Sequence, residues 1–216
     1  MRHPIKTMAF AVCACAAMAS CSGGSGSNES SLDKAIQETT RSTTTQAVIE
    51  NIMTRTSIRR FTSQPVAKDT IEMLVKAGMA APSAVNKQPW AFVAITDRAV
   101  LDSLNNHHPY ANLKTATAAI VVCGDMKKTL EGEHAQYWVQ DCSAATENIL
   151  LAAHGYGLGA VWCGVYPNEE RIPAVKEILG LPDYIMPLCI VTLGYPDENP
   201  EPKDKWKEEN LHWQTW

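Results

Sequence analysis

The sequence predicts an α+β sandwich: a mixed central sheet, helices on both faces, and one long helix shared between two copies of the chain. Three observations lead there. Apolar stretches at helical and at strand spacing alternate irregularly along the chain, with helices leading. The longest helical pattern, residues 136–153, is small and apolar nearly all round, as in a helix buried on more than one side. The stretch with core-forming character, 46–216, has the length of one domain.

The elements follow in order. Val48, Ile49, Ile52 and Met53 fall at helical spacing in a short helix ending near Thr54. RTSIRRF (55–61) is extended, and Gln64-Pro65 breaks the chain. A helix over 68–80 carries Ile71, Leu74, Val75 and Met79 on one face. It stops at Ala81-Pro82, because proline disfavours helical backbone in the residue before it. The irregular loop VNKQPW leads into a strand at 91–96. Asp97 then caps a helix covering 98–105. A second strand spans 118–123, and Gly155 ends the long helix. A glycine-interrupted strand (157–165) reads as a place where backbone approaches something closely. A helix from Pro167-Asn168 to Gly180, a strand at 187–193 and a polar tail complete the chain.

The N-terminus reads as a targeting segment. Arg2 and Lys6 precede a short apolar run, too short to span a bilayer, which ends Met-Ala-Ser-Cys. Residues 1–21 are therefore expected to be a lipoprotein-type signal ending in Cys21, the candidate lipidated residue. An ordinary cleaved signal is the plainer alternative. Residues 22–45, rich in Ser, Gly, Thr and Asn, are expected to form a flexible tether. The expected location is the bacterial cell envelope, lipid-anchored at Cys21 and facing the periplasm.

The whole chain carries a net charge of −4; without Arg2 and Lys6 it has 17 basic against 23 acidic side chains, a net −6. That excludes nucleic acid as an expected partner. Cys123, Cys142, Cys163 and Cys189 show no CxxC spacing and read as buried packing residues. No metal site is expected: His107-His108 and Glu131-Glu133-His134 lack a supporting ligand set and read as solvated loop residues. Tyr137, Trp138 and Trp162 read as core, with gating of a ligand as the second possibility.

Three segments carry the chemistry. Arg55, Ser57 and Arg59 alternate on extended backbone, so two guanidinium forks and a hydroxyl converge, as a phosphate dianion requires. Lys203, Lys205 and Lys207 repeat that alternation at the far end of the chain. APSAVNKQPW offers Asn86 and Gln88, amides able to meet a heteroaromatic edge. GLGAVWCG offers glycines that let main chain touch a flat ligand.

With RTSIRRF, APSAVNKQPW, QDCSAATENILLAAHGYGLGAVW and LGYP…KDKWKEENLHW in this order, residues 48–216 resemble the FMN-dependent nitroreductase family. The resemblance implies a nitroreductase-like homodimer with FMN at the subunit interface. It further implies a nicotinamide donor (NADH or NADPH) and ping-pong reduction of nitroaromatic, quinone or similar small aromatic acceptors. It implies that Arg55, Thr56, Ser57, Arg59, Lys203 and Lys205 hold the phosphate end. Pro82, Ser83, Asn86 and Gln88 would line the ring and ribityl chain, with Ser83 and Asn86 from the opposite subunit. Cys163 and Gly164 would present backbone to the ring, and no protein nucleophile is needed. The competing expectation is a non-catalytic flavin-binding or sensing lipoprotein.

Overall fold

The computed structural model describes residues 27–216. The signal segment and Cys21 lie outside the described residues. The chain divides into two units between Thr45 and Gln46. The polar stretch expected as a tether is instead helical from Ser27 onward, within α1 (Ser27–Thr54). The hydroxyls that suggest a linker turn back onto the helix: Thr43, Thr44 and Thr45 donate to the carbonyls of Thr39, Thr40 and Arg41 at 3.0, 2.9 and 2.9 Å.

In the second unit, α2 (Lys68–Met79), β1 (Trp90–Ile95), α3 (Arg98–His107), β2 (Ala118–Asp125), α4 (Tyr137–Gly155), β3 (Gly159–Gly164), α5 (Arg171–Leu179) and β4 (Ile185–Gly194) follow one another. Asp97 caps α3 as expected, its carboxylate accepting the Ala99 and Val100 N–H groups at 2.8 and 3.2 Å. Gly180 ends α5 in the left-handed region, at φ 59°. Gly155 stays inside α4, and Gly157 (φ 72°) makes the turn instead.

The strands form one sheet in the order β1-β2-β4-β3, with every pair antiparallel. This corrects the expected mixed sheet. A helix between two strands permits a parallel crossover but does not impose one. Here α3 leads away from β1 and residues 108–117 return, so β2 enters beside the end of β1, with Ala119 opposite Ile95. Pro187 is tolerated inside β4 because it faces Cys123, where the register shifts.

Side chains alternate across the sheet. Ile120, Val122, Val191 and Leu193 face α2 and α4, meeting Ile71, Leu74, Ala145 and Ile149. Val121, Ile190 and Val161 face α3 and α5, meeting Leu101, Leu104 and Val175. Each such side chain, fully buried, contributes about 1.5–3 kcal/mol. The two helices on the first face touch closely: a Cβ on Gly78 would stand 3.0 Å from Ile149. The four thiols are free and buried in these layers, and Trp138 packs edge-on to Tyr166 at 4.9 Å.

Candidate functional site

Residues 55–61 leave α1 in extended form and run along the open edge of β3. Two buried side chains seat them. Ile58 lies over Gly159, where a Cβ would come within 2.6 Å of it, and Phe61 lies over Gly194, where the distance would be 2.8 Å. Only glycine permits so close an approach. The Ile58 N–H donates to the Ala160 carbonyl at 3.0 Å. Beyond it the segment pairs with the chain leaving β4: Thr62 N–H donates to Tyr195 O at 2.9 Å, and Asp197 N–H to Arg60 O at 3.0 Å.

That pairing delivers the C-terminal arm to the basic segment. Arg55, Thr56, Ser57 and Arg59 share one cavity of about 270 Å³ with Pro200, Glu201, Lys203 and Lys205. Four cations from opposite ends of the unit thus face one space. Carboxylates hold the frame: Glu147 on α4 lies 3.7 Å from the Arg55 guanidinium, and Glu198 accepts the Arg59 and Arg60 N–H groups. Those backbone donors, Arg59 first, keep the Glu198 carboxyl below its ordinary range. The arrangement suits a dianion carrying its own acceptor oxygens.

The other expected residues stand apart from that cavity. Pro82, Ser83, Asn86 and Gln88 lie in a loop tied to the start of α4, where Asp141 accepts the Ala84 N–H at 2.8 Å. Ser83 Oγ accepts the Gln88 N–H, and the Gln88 amide donates to Asn86, both at 2.9 Å. Val85, Asn86 and Gln88 adopt left-handed backbone, with φ of 42°, 56° and 49°. Such conformations cost about 1–3 kcal/mol each and are characteristic of ligand clamps.

Cys163 and Gly164 differ from each other. The Val165 N–H donates to Leu188 O at 2.9 Å, which makes 165 and 188 a bonded pair. By antiparallel alternation, Cys163 turns its backbone polar groups toward β4 and Gly164 turns its own toward the open edge. The Cys163 side chain is buried against the Ala111 and Tyr110 carbonyls. At Gly164 a Cβ would meet nothing within 4 Å, and the backbone is not left-handed. Packing within the chain therefore does not require glycine there.

Sequence reasoning misses the supporting residues Asp141, Glu147, Glu198 and Arg171, and misreads His108. His108 is 3% exposed rather than solvated, and its Nε2 lies 3.0 Å from the Gly164 carbonyl. Among the described residues no group of His, Cys, Asp and Glu could hold a metal ion.

A single-sheet α+β unit with a cationic cradle on the open edge of β3 has the chemistry to take a phosphorylated, flat ligand. The chain belongs to the nitroreductase family, whose model matches residues 52–108 and 105–195. It is 42% identical over 171 residues to a Methanothermobacter thermautotrophicus protein bearing the name "Putative NADH dehydrogenase/NAD(P)H nitroreductase". That match covers 78% of this chain and 87% of the other. A Parabacteroides distasonis crystal structure with the same name superposes with TM-score 0.74 at 44% identity, covering 79% of this chain and 99% of that one. An FMN-dependent nitroreductase from Clostridium difficile superposes with TM-score 0.71 at 27% identity, covering 78% and 99%.

Proposed function

We propose that this chain is an FMN-dependent oxidoreductase that draws electrons from NAD(P)H. The observation that carries the reading is the meeting of Arg55, Ser57 and Arg59 with Lys203 and Lys205 around one cavity. Arg55 and Arg59 would grip the phosphate with their forks, Ser57 and Thr56 would add hydroxyl and backbone donors, and Lys203 and Lys205 would close the far side as point charges. Asn86, Gln88, Pro82 and Ser83 would line the ring and ribityl chain. Gly164 leaves open space where the ring can lie. Bound flavin supplies hydride acceptance and donation at N5. The chain itself binds and orients it and surrounds it with positive charge that favours the anionic reduced form.

Nitroaromatic, quinone or similar small aromatic acceptors, reached in a ping-pong sequence, are the substrates we assign. In support, relatives carry nitroreductase names. A homodimer is the assembly we assign. Met79, Val85, Trp206, Trp213 and Trp216 are exposed apolar side chains in the single chain, at 51%, 77%, 68%, 75% and 100%. So large an apolar surface favours a covering partner, and a second copy would also let Ser83 and Asn86 serve the opposite cradle. Export and a lipid anchor at Cys21 rest on the N-terminal sequence pattern alone. Among the described residues no helix is long and apolar enough to cross a membrane.

The test is the purified protein's visible spectrum together with anaerobic half-reactions. FMN should co-purify, be reduced by NAD(P)H and be reoxidised by a nitroaromatic. Replacing Arg55 and Arg59 together should remove the flavin; stoichiometric FMN in that variant would place the phosphate elsewhere.

A further inference from the structure

His108 stands outside every role assigned above, yet it is among the few buried polar side chains. It follows α3 and opens the short turn Pro109–Ala111. A carbonyl oxygen only accepts, so the 3.0 Å contact with Gly164 O fixes the proton on Nε2, which donates. Nδ1 is then a bare acceptor, and it is a buried side-chain atom without a partner. Burial, reinforced by the Arg171 charge, holds the ring's pKa below its ordinary value. A leucine would fill the same volume without an orphaned nitrogen, so packing alone does not account for histidine here.

The same carbonyl has a second donor. Arg171, at the start of α5, places Nη1 3.0 Å from Gly164 O. Two side chains from different elements therefore hold one peptide oxygen, and it belongs to a residue with the greatest backbone freedom of any. That residue ends β3, on the open edge, beside the space a Cβ would occupy.

We propose that His108 and Arg171 form a two-point clamp on the Gly164 carbonyl that orients the Gly164 backbone toward the flavin ring. This makes His108 a positioning residue for the cofactor. The inference rests on the flavin reading of the site. With the Val165 N–H held by Leu188 on one side and two donors on the Gly164 oxygen on the other, the 164–165 peptide plane is fixed. That limits the rotation about Gly164 that would let its N–H swing off the ring edge. The clamp acts on the ring and not on the phosphate, so riboflavin should feel its loss as strongly as FMN.

The experiment uses the full chain and three variants, His108→Leu, His108→Gln and Arg171→Met. Each is checked for folding by near-UV circular dichroism and titrated with FMN and with riboflavin by flavin fluorescence. The visible circular dichroism of the bound flavin is recorded as well. Expected is a loss of affinity of about threefold to tenfold for both flavins in His108→Leu and in Arg171→Met, with an altered visible band. His108→Gln, whose amide can still donate to Gly164 O, should recover most of the wild-type values. Wild-type affinity and band shape in His108→Leu would overturn the clamp, as would a glutamine variant as impaired as the leucine one. Should His108→Leu not fold, Arg171→Met with unchanged flavin binding overturns it equally. A wild-type chain that takes up no flavin would overturn the flavin reading and the clamp together, whereas unaffected variants of a flavin-binding chain overturn the clamp alone.

Discussion

Glu198 holds Arg60 twice: one carboxylate oxygen accepts the Arg60 N–H at 3.1 Å, and the other lies 3.4 Å from its guanidinium. The first oxygen also accepts the neighbouring Arg59 N–H. An acidic residue thus fastens the C-terminal arm to the back of the basic segment, leaving the Arg59 side chain to face the cavity. Glu198→Ala should weaken FMN by roughly tenfold while leaving riboflavin affinity nearly unchanged, because the damage falls on the phosphate end. Paired flavin titrations check this, and equal losses for the two ligands would refute it.

Gly159 and Ile58 give a prediction about stability. A methyl on Gly159 would come within 2.6 Å of Ile58 Cγ2 and 2.8 Å of its Cβ, and the Cβ cannot move without shifting the backbone of residues 55–61. Gly159→Ala should cost about 1–3 kcal/mol in urea unfolding. Combined with Ile58→Ala, the double variant should be more stable than the sum of the two losses predicts, because the second change removes the closest contact, at Cγ2, and leaves only the Cβ one. Simple additivity would show that the two residues do not collide.

Acid should destabilise the protein in two stages. Burial lowers the His108 pKa, and backbone donors lower that of Glu198. Each group binds protons more weakly folded than unfolded, so its stabilising contribution is present at high pH and lost as pH falls. The His108 stage begins as pH drops through the ordinary value of 6.5, and the Glu198 stage as it drops through 4.5. Urea midpoints measured across that range should lose the upper stage in His108→Leu and have a smaller lower stage in Glu198→Gln. An upper stage that persists in His108→Leu would assign it to another group.

The thiols should be inert in the folded protein. Burial pushes Cys123 and Cys189 up to about 12 and raises Cys142 and Cys163 as well. Thiol-reactive probes, with labelled sites located by mass spectrometry, should modify these four only after denaturant is added. Rapid labelling of Cys163 in the native protein would mean that the Tyr110–Ala111 turn opens over it.

What is legible in the sequence is local. Asp97 as a cap, Gly180 as a stop and the extended run that carries Arg55, Ser57 and Arg59 each depend on neighbours a few residues away, and the structure has each where expected. What escapes depends on contacts across the chain. His108 looks like half of a polar His-His pair until β3 brings the Gly164 carbonyl to it. Glu147 looks like a surface acid until the extended segment brings Arg55 to it, and Glu198 until the arm closes on residues 59–60. Strand direction escapes as well, because helical connectors carry no mark of whether the chain returns before pairing. Residues 27–45 mislead through composition: serine and threonine favour linkers, but their hydroxyls can also bond back along a helix.

The pairing of residues 59–62 with 195–198 also sets a schedule for biosynthesis. Chains emerge from their first residue onward, so Arg55 and Arg59 are made well before Lys203 and Lys205. Half of the cation set is missing until residue 205 has been added. On the flavin reading proposed above, loading would therefore wait on Lys203 and Lys205, and a chain truncated after Gly194 would keep its sheet yet never acquire colour.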